Sequence, residues 1–104
     1  MTKGKFIVRN GRYEAFEFSG HVGIDTKGKD VVCAAISAIV QATIIGINEV
    51  LKEEIAYTIK DGKVKCTVNS KNECVQAMIK TLYKTTKQLA AQYPKNLSVV
   101  EVER

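Results

Sequence analysis

From Val31 to Asn48 the chain runs eighteen residues without a charged side chain, and the only clearly polar groups before Asn48 are Ser37, Gln41 and Thr43. Such a run predicts a helix over about Val31–Leu51 that is apolar nearly all round. A helix of that kind has to be covered on more than one side, by a sheet and by a neighbouring helix or subunit. Eighteen residues also touch the lower limit for a membrane span. Gly46 and the polar groups interrupt the run, however, and no basic asymmetry frames it. The expectation is therefore a central helix of a soluble domain, with no membrane partner.

The flanking segments say what covers it. Lys5–Arg9 and Arg12–Phe18 read as strands joined at Asn10-Gly11, a dipeptide suited to the positive φ angles of a type I′ turn. In the second strand Tyr13 and Ala15 are out of phase with Phe16 and Phe18, which predicts a bulge or a two-sided strand. Glu54–Ile59 and Lys63–Asn69 form a second hairpin about Asp61-Gly62, with Cys66 on its inward face. Ser70-x-x-Glu73 has the form of a capping box before a second helix. The apolar stripe of that helix is Val75, Met78, Ile79, Leu82, Leu89 and Ala90, and Pro94 closes it. Leu97–Val102 is a last strand. The order ββαββαβ predicts a single α+β domain over residues 1–104, a layer sandwich with two helices on a largely antiparallel sheet.

Composition then narrows the chemistry. One histidine and three cysteines at 33, 66 and 74, without a C-x-x-C pair, exclude histidine-rich metal centres and leave no recognisable zinc site, so no metal or other cofactor is expected. An odd count of thiols in no disulfide pattern fits a reducing, cytoplasmic compartment. The N-terminus has no apolar signal-peptide core. Sixteen basic against eleven acidic residues give a net charge of +5, which favours polyanionic surroundings such as RNA or a ribosome.

Of the thiols, Cys66 reads as a small core residue and Cys74 as an unpartnered thiol in the first turn of the second helix. Cys33 is different. With Asp30 as N-cap it falls in the first turn of the long helix, where the dipole, unpaired amides and nearby Lys27 and Lys29 favour a thiolate, the Asp30 anion opposes it, and the helix-start amides could stabilise an oxyanion. Cys33, Ser37 and Gln41 recur every four residues and form the one polar stripe on that helix. His21 lies in the glycine-containing segment Ser19–Lys29, with Gly20, Gly23 and Gly28, which delivers the chain to the helix. An imidazole there can take the thiol proton and later protonate a leaving group. A solvated loop histidine beside a small packing cysteine is the plainer alternative.

The segments Gly20-His21-Val22-Gly23 and Gly28-Lys29-Asp30-Val31-Val32-Cys33-Ala34-Ala35-Ile36-Ser37 resemble the signature of the ribosomal-processing cysteine proteases called Prp. That pattern reads G-H-A, a short glycine-containing loop, then G-x-D-I-V-C-A-A-V-S; element order and length agree as well. The resemblance implies a homodimeric endopeptidase that removes the N-terminal extension of a large-subunit ribosomal protein, the twenty-seventh in the usual bacterial list. It carries the nucleophile onto Cys33 and the general base and acid onto His21. Asp30 and Ser37 match further signature positions, Asp30 as helix cap or histidine orienter and Ser37 as a hydroxyl lining the site. Val22 departs from the usual alanine, and Ile24-Asp25-Thr26 lack an aromatic often seen there.

Two other readings come from different classes. One is a non-catalytic, ribosome-associated or RNA-binding protein using Lys80, Lys84 and Lys87 on the wet face of the second helix. The other is an interaction domain whose long apolar helix serves to dimerise. In the protease reading, direct nucleic-acid binding is not required.

Overall fold

The computed structural model describes residues 1–20, 27–60 and 62–104. Its elements follow the expected order: β1 (Thr2–Arg9), β2 (Arg12–Ser19), α1 (Lys27–Ile45), β3 (Ile55–Lys60), β4 (Lys63–Val68), α2 (Glu73–Gln92) and β5 (Leu97–Glu103). The strands form one sheet in the order β3-β4-β2-β1-β5, antiparallel throughout except for the parallel pairing of β1 with β5.

Asn10 and Gly11 have φ of 52° and 76°, the left-handed pair that a two-residue type I′ turn demands. The phase slip in β2 is a bulge. Ile7 faces Ala15 and Val8 faces Tyr13, so Glu14 is the extra residue. The bulge returns Tyr13 to the face that carries Phe16 and Phe18. There Phe6 meets Tyr13, Phe16, Phe18 and Tyr83, with ring centroids 5.2–6.0 Å apart. Both helices cover this face. α1 contributes Val32, Ile36, Val40 and Ile44, and α2 contributes Val75, Ile79 and Leu82, all buried against Val64, Cys66, Val68, Leu97 and Val99. The long apolar helix thus lies on the sheet, as its pattern requires.

Three local expectations are corrected. The first concerns the start of α1. It begins at Lys27, so the backbone of Asp30 lies inside the helix and Asp30 is not its N-cap; Gly28 is helical too. Cys33 then sits in the second turn, where helix amides already have carbonyl partners and the dipole has largely decayed. The second correction is at the other end, where α1 passes at Ile45 into a π-helical turn, Gly46–Val50. Leu51 N–H donates to Gly46 O, and Lys52 follows with φ of 60°. The third is the cap of α2. Asn72, not Ser70, is its N-cap, accepting from the amides of Cys74 and Val75 at 2.8 and 3.4 Å. Ser70 instead donates its hydroxyl to Glu53 and accepts from Asn72 N–H.

Candidate active site

The wall of the site begins with the end of β2. Gly20 has φ of +91°, and a Cβ there would run into the carbonyl oxygen of Met1, so the position accepts glycine alone. Its N–H donates to Gly62 O at 3.0 Å, and its carbonyl accepts from the Thr2 hydroxyl at 3.1 Å. Gly20 is thereby held from both sides, by the β3–β4 hairpin and by the start of β1.

Above this wall lies α1, whose polar stripe the fold places as its spacing suggests. Cys33, Ser37 and Gln41 all line one cavity of about 220 Å³. Phe18, Ile36, Val40, Ile59 and Val64 supply its apolar surface; Thr2, Ser19, Gly20 and Gly62 close one end, with Lys60 and Lys63 at its margin. Cys33 is half-buried, whereas Ser37 and Gln41 are exposed. A half-buried thiol over an apolar floor, with hydroxyl and amide groups along one side, suits attack on a carbonyl carbon beside a bound apolar side chain. His21 and Gly23 lie outside the described residues, as does Asp61. The proposed histidine is nevertheless bonded directly to Gly20, a residue of the cavity wall.

The remaining thiols behave differently. Cys66 is fully buried between Phe16 and Tyr57 in the sheet register, and burial pushes its pKa up to about 11. A thiol so held stays protonated and is a packing group. Cys74 is exposed on the first turn of α2, away from the cavity. Lys80 and Lys84 are exposed on α2, while the Lys87 ammonium donates to Val99 O at 3.2 Å, so one member of that stripe is already engaged.

Two contributors escaped the sequence reading. Ile59 and Val64, on the edge hairpin, complete the cavity floor, and Ile59 is 57% exposed although it points to the helix side of the sheet. Their alternation was legible, but not that β4 would pair with β2 and bring them beside α1.

A small α+β fold with a thiol on the one polar stripe of its central helix, opening into an apolar cleft, defines a candidate cysteine-nucleophile hydrolase. The sequence matches the family model described as cysteine protease Prp over residues 1–98, and the chain belongs to that family. Among solved structures, SMU.848 from Streptococcus mutans superposes with a TM-score of 0.91 at 23% identity, covering 100% of this chain and 96% of that one. The S. aureus ribosomal processing protease Prp in complex with a substrate peptide gives 0.89 at 20% identity, over 98% and 100% of the two chains. The same protease with a covalently linked product peptide gives 0.88 at 21%, over 98% and 100%. No curated protein matches the chain in sequence. At these identities the structural matches establish the fold, and the family match establishes the cysteine protease class.

Proposed function

We propose that this chain is a cytoplasmic cysteine endopeptidase that removes the N-terminal extension of a large-subunit ribosomal protein, the twenty-seventh, with Cys33 as nucleophile and His21 as its base and acid. The observation that carries the reading is that Cys33 and Ser37 share a cavity with Gly20, the residue to which His21 is joined. Successive Cα atoms are about 3.8 Å apart across a trans peptide, so the chain itself keeps residue 21 within one peptide of Gly20.

In the proposed reaction His21 takes the proton from the Cys33 thiol as sulfur bonds to the scissile carbonyl carbon. The imidazolium then gives that proton to the departing amine as the C–N bond breaks, leaving a thioester. Water, deprotonated by the same imidazole, attacks the thioester and restores the thiol. In this reading Ser37 and Gln41, which line the cavity, hydrogen-bond substrate backbone, and Phe18, Ile36 and Val40 receive an apolar side chain. With Cys33 in the second turn of α1, the helix-start amides are not assigned to the oxyanion. That the S. aureus relative has been captured with a covalently linked product peptide supports nucleophilic catalysis in this fold.

We also propose that the enzyme is a homodimer. α1 turns Val31, Ala34, Ala38, Ala42 and Ile45 to solvent, an apolar strip that a second copy would cover.

The test is mass spectrometry of the extended ribosomal protein after incubation with parent and Cys33→Ala protein. Cleavage by the parent and none by Cys33→Ala or His21→Ala, with all three equally folded by circular dichroism, is the expected result. Full activity in Cys33→Ala refutes the assignment.

A further inference from the structure

Both helices lie on one face of the sheet; among the described residues no element covers the other face. The strand registers fix its occupants. Lys3 of β1 faces Ser19 of β2, which faces Lys63 of β4, which faces Lys60 of β3. One row further along, Lys5, Glu17, Lys65 and Thr58 are aligned in the same way. Residues directly opposite one another point to the same side, and this side is opposite to that of Phe6, Phe16 and Cys66. Lys3, Lys60, Lys63 and Lys65 are exposed and Lys5 is half-buried. Among the described strand residues, five lysines therefore share one end of the open face with a single acid, Glu17. Among the described residues none of the five takes part in an ion pair, the one salt bridge being Arg9–Glu14 at the opposite end of β1.

Like charges on neighbouring strands repel, and folding gains nothing from gathering them. The surplus of four positive charges, from five lysines less Glu17, is nearly the whole net charge of +5 carried by the chain. We propose that this face docks the phosphodiester backbone of duplex RNA. Lysines two strands apart are about 9.5 Å from one another, and those two residues apart on a strand about 6.7 Å. Ammonium groups on flexible stems at that density can follow a phosphate track. Among the described residues the face presents no aromatic side chain: small and aliphatic groups such as Ile7, Ala15, Thr58 and Thr67 surround the lysines, and Arg9 and Arg12 lie at its far end. Base stacking, the usual grip on single strands, is therefore absent, and backbone contact with a duplex remains. In the proposed function the substrate is a ribosomal protein, whose natural surroundings are rich in such duplexes, and to that extent the inference rests on that function. Lys60 and Lys63 belong both to this face and to the margin of the Cys33 cavity, so RNA held there would abut the peptide entering the cleft.

The experiment uses a fluorescein-labelled RNA hairpin with a mixed-sequence stem and titrates the intact protein by anisotropy at 50–200 mM salt. With about five phosphates engaged, log K should fall with log salt at a slope of roughly −3 to −4.5. The variant Lys3→Ala/Lys5→Ala/Lys65→Ala spares the two lysines at the cavity. It should lose about three of those contacts, lower the slope by roughly 2 to 3 and weaken binding at least tenfold at 50 mM salt. Lys5→Gln/Lys65→Gln, a milder change, should give an intermediate loss. Cleavage of a short peptide substrate should be unchanged in both, which separates failure of this inference from failure of the protease assignment. The inference is overturned if the hairpin does not bind at 50 mM salt, or if the triple variant binds it within twofold of the parent. It is equally overturned if Lys80→Ala/Lys84→Ala abolishes binding instead, or if the five lysines capture anionic vesicles but not the hairpin.

Discussion

Gln76 of α2 stands in for a missing strand. β4 pairs with β2 from Ala15 to Ser19, so the outer edge of β2 at Tyr13 has no backbone partner. The Gln76 side-chain amide fills the gap as a peptide group would: Oε1 accepts from Tyr13 N–H at 2.7 Å, and Nε2 donates to Tyr13 O at 3.0 Å and to Ser70 O at 3.1 Å. Gln76→Ala removes all three bonds and leaves a half-buried amide and carbonyl dependent on whatever water reaches them. At about 1 kcal/mol for each lost bond, discounted for that water, the fold should lose about 2 kcal/mol. For a domain of this size that lowers Tm by roughly 10 °C. Gln76→Glu discriminates further. A carboxylate still accepts from Tyr13 N–H but confronts two carbonyl oxygens, so its pKa in the folded state is raised. The stability of that variant is then greatest below the unfolded carboxyl pKa and declines as pH rises through the folded value. Thermal melts followed by circular dichroism at fixed protein concentration, at pH 4.5 and 7.5, measure both effects. A Gln76→Ala protein within about 0.5 kcal/mol of the parent would refute the argument that the amide completes the sheet edge.

Gly4→Ala drives a Cβ into the ring of Phe18, which faces it across the β1–β2 pair and lines the Cys33 cavity. It should cost about 1–3 kcal/mol in denaturant melts and raise KM for a peptide substrate more than it lowers kcat. Gly46→Ala meets only the terminal atoms of Met78, a flexible side chain, and should be milder in the same assays. Lys52→Gly relieves a left-handed residue after the π-helical turn and should stabilise by up to about 1 kcal/mol in urea titrations. Iodoacetamide at pH 8 should label Cys33 and Cys74 and spare Cys66 in peptide mapping. Because the Cys66 pKa is raised to about 11 from 9.0, its neutral thiol stabilises the fold below pH 9, and that contribution is lost as pH rises toward 11. Cys66→Ala should flatten this part of the alkaline stability profile.

The readable features were those written in local pattern. Asn10-Gly11 announced its turn, the phase mismatch of Tyr13 and Ala15 with Phe16 and Phe18 announced a bulge that falls at Glu14, and the four-residue repeat of Cys33, Ser37 and Gln41 announced a polar stripe that does line a cavity. Element ends were harder, because competing caps lie close together. Ser70 and Asn72 are both good capping residues, and the contest was settled by Glu53, a residue remote in sequence that takes the Ser70 hydroxyl. Gly28 and Asp30 argued for a late start to α1, whereas the backbone is helical from Lys27. Strand order was not legible at all. That β2 separates β1 from β4, and that β5 runs parallel to β1, depends on pairings between segments far apart in the chain, and alternation within each strand is silent about its neighbour.

The pairing of the first strand with the last has a consequence for synthesis. β1 lies between β2 and β5, and β5 anchors it through a parallel ladder from Thr2–Leu97 to Val8–Glu103, with Arg104 N–H reaching Val8 O at 2.8 Å. Until residues 97–103 leave the ribosome, β1 is an open edge bearing Phe6, Ile7 and Val8. The hairpins and helices can form as the chain emerges, but the sheet gains its β1–β5 ladder only once residues 97–103 are free to pair. Premature termination before Leu97 would therefore release a sticky template for strand addition rather than a shorter version of the protein.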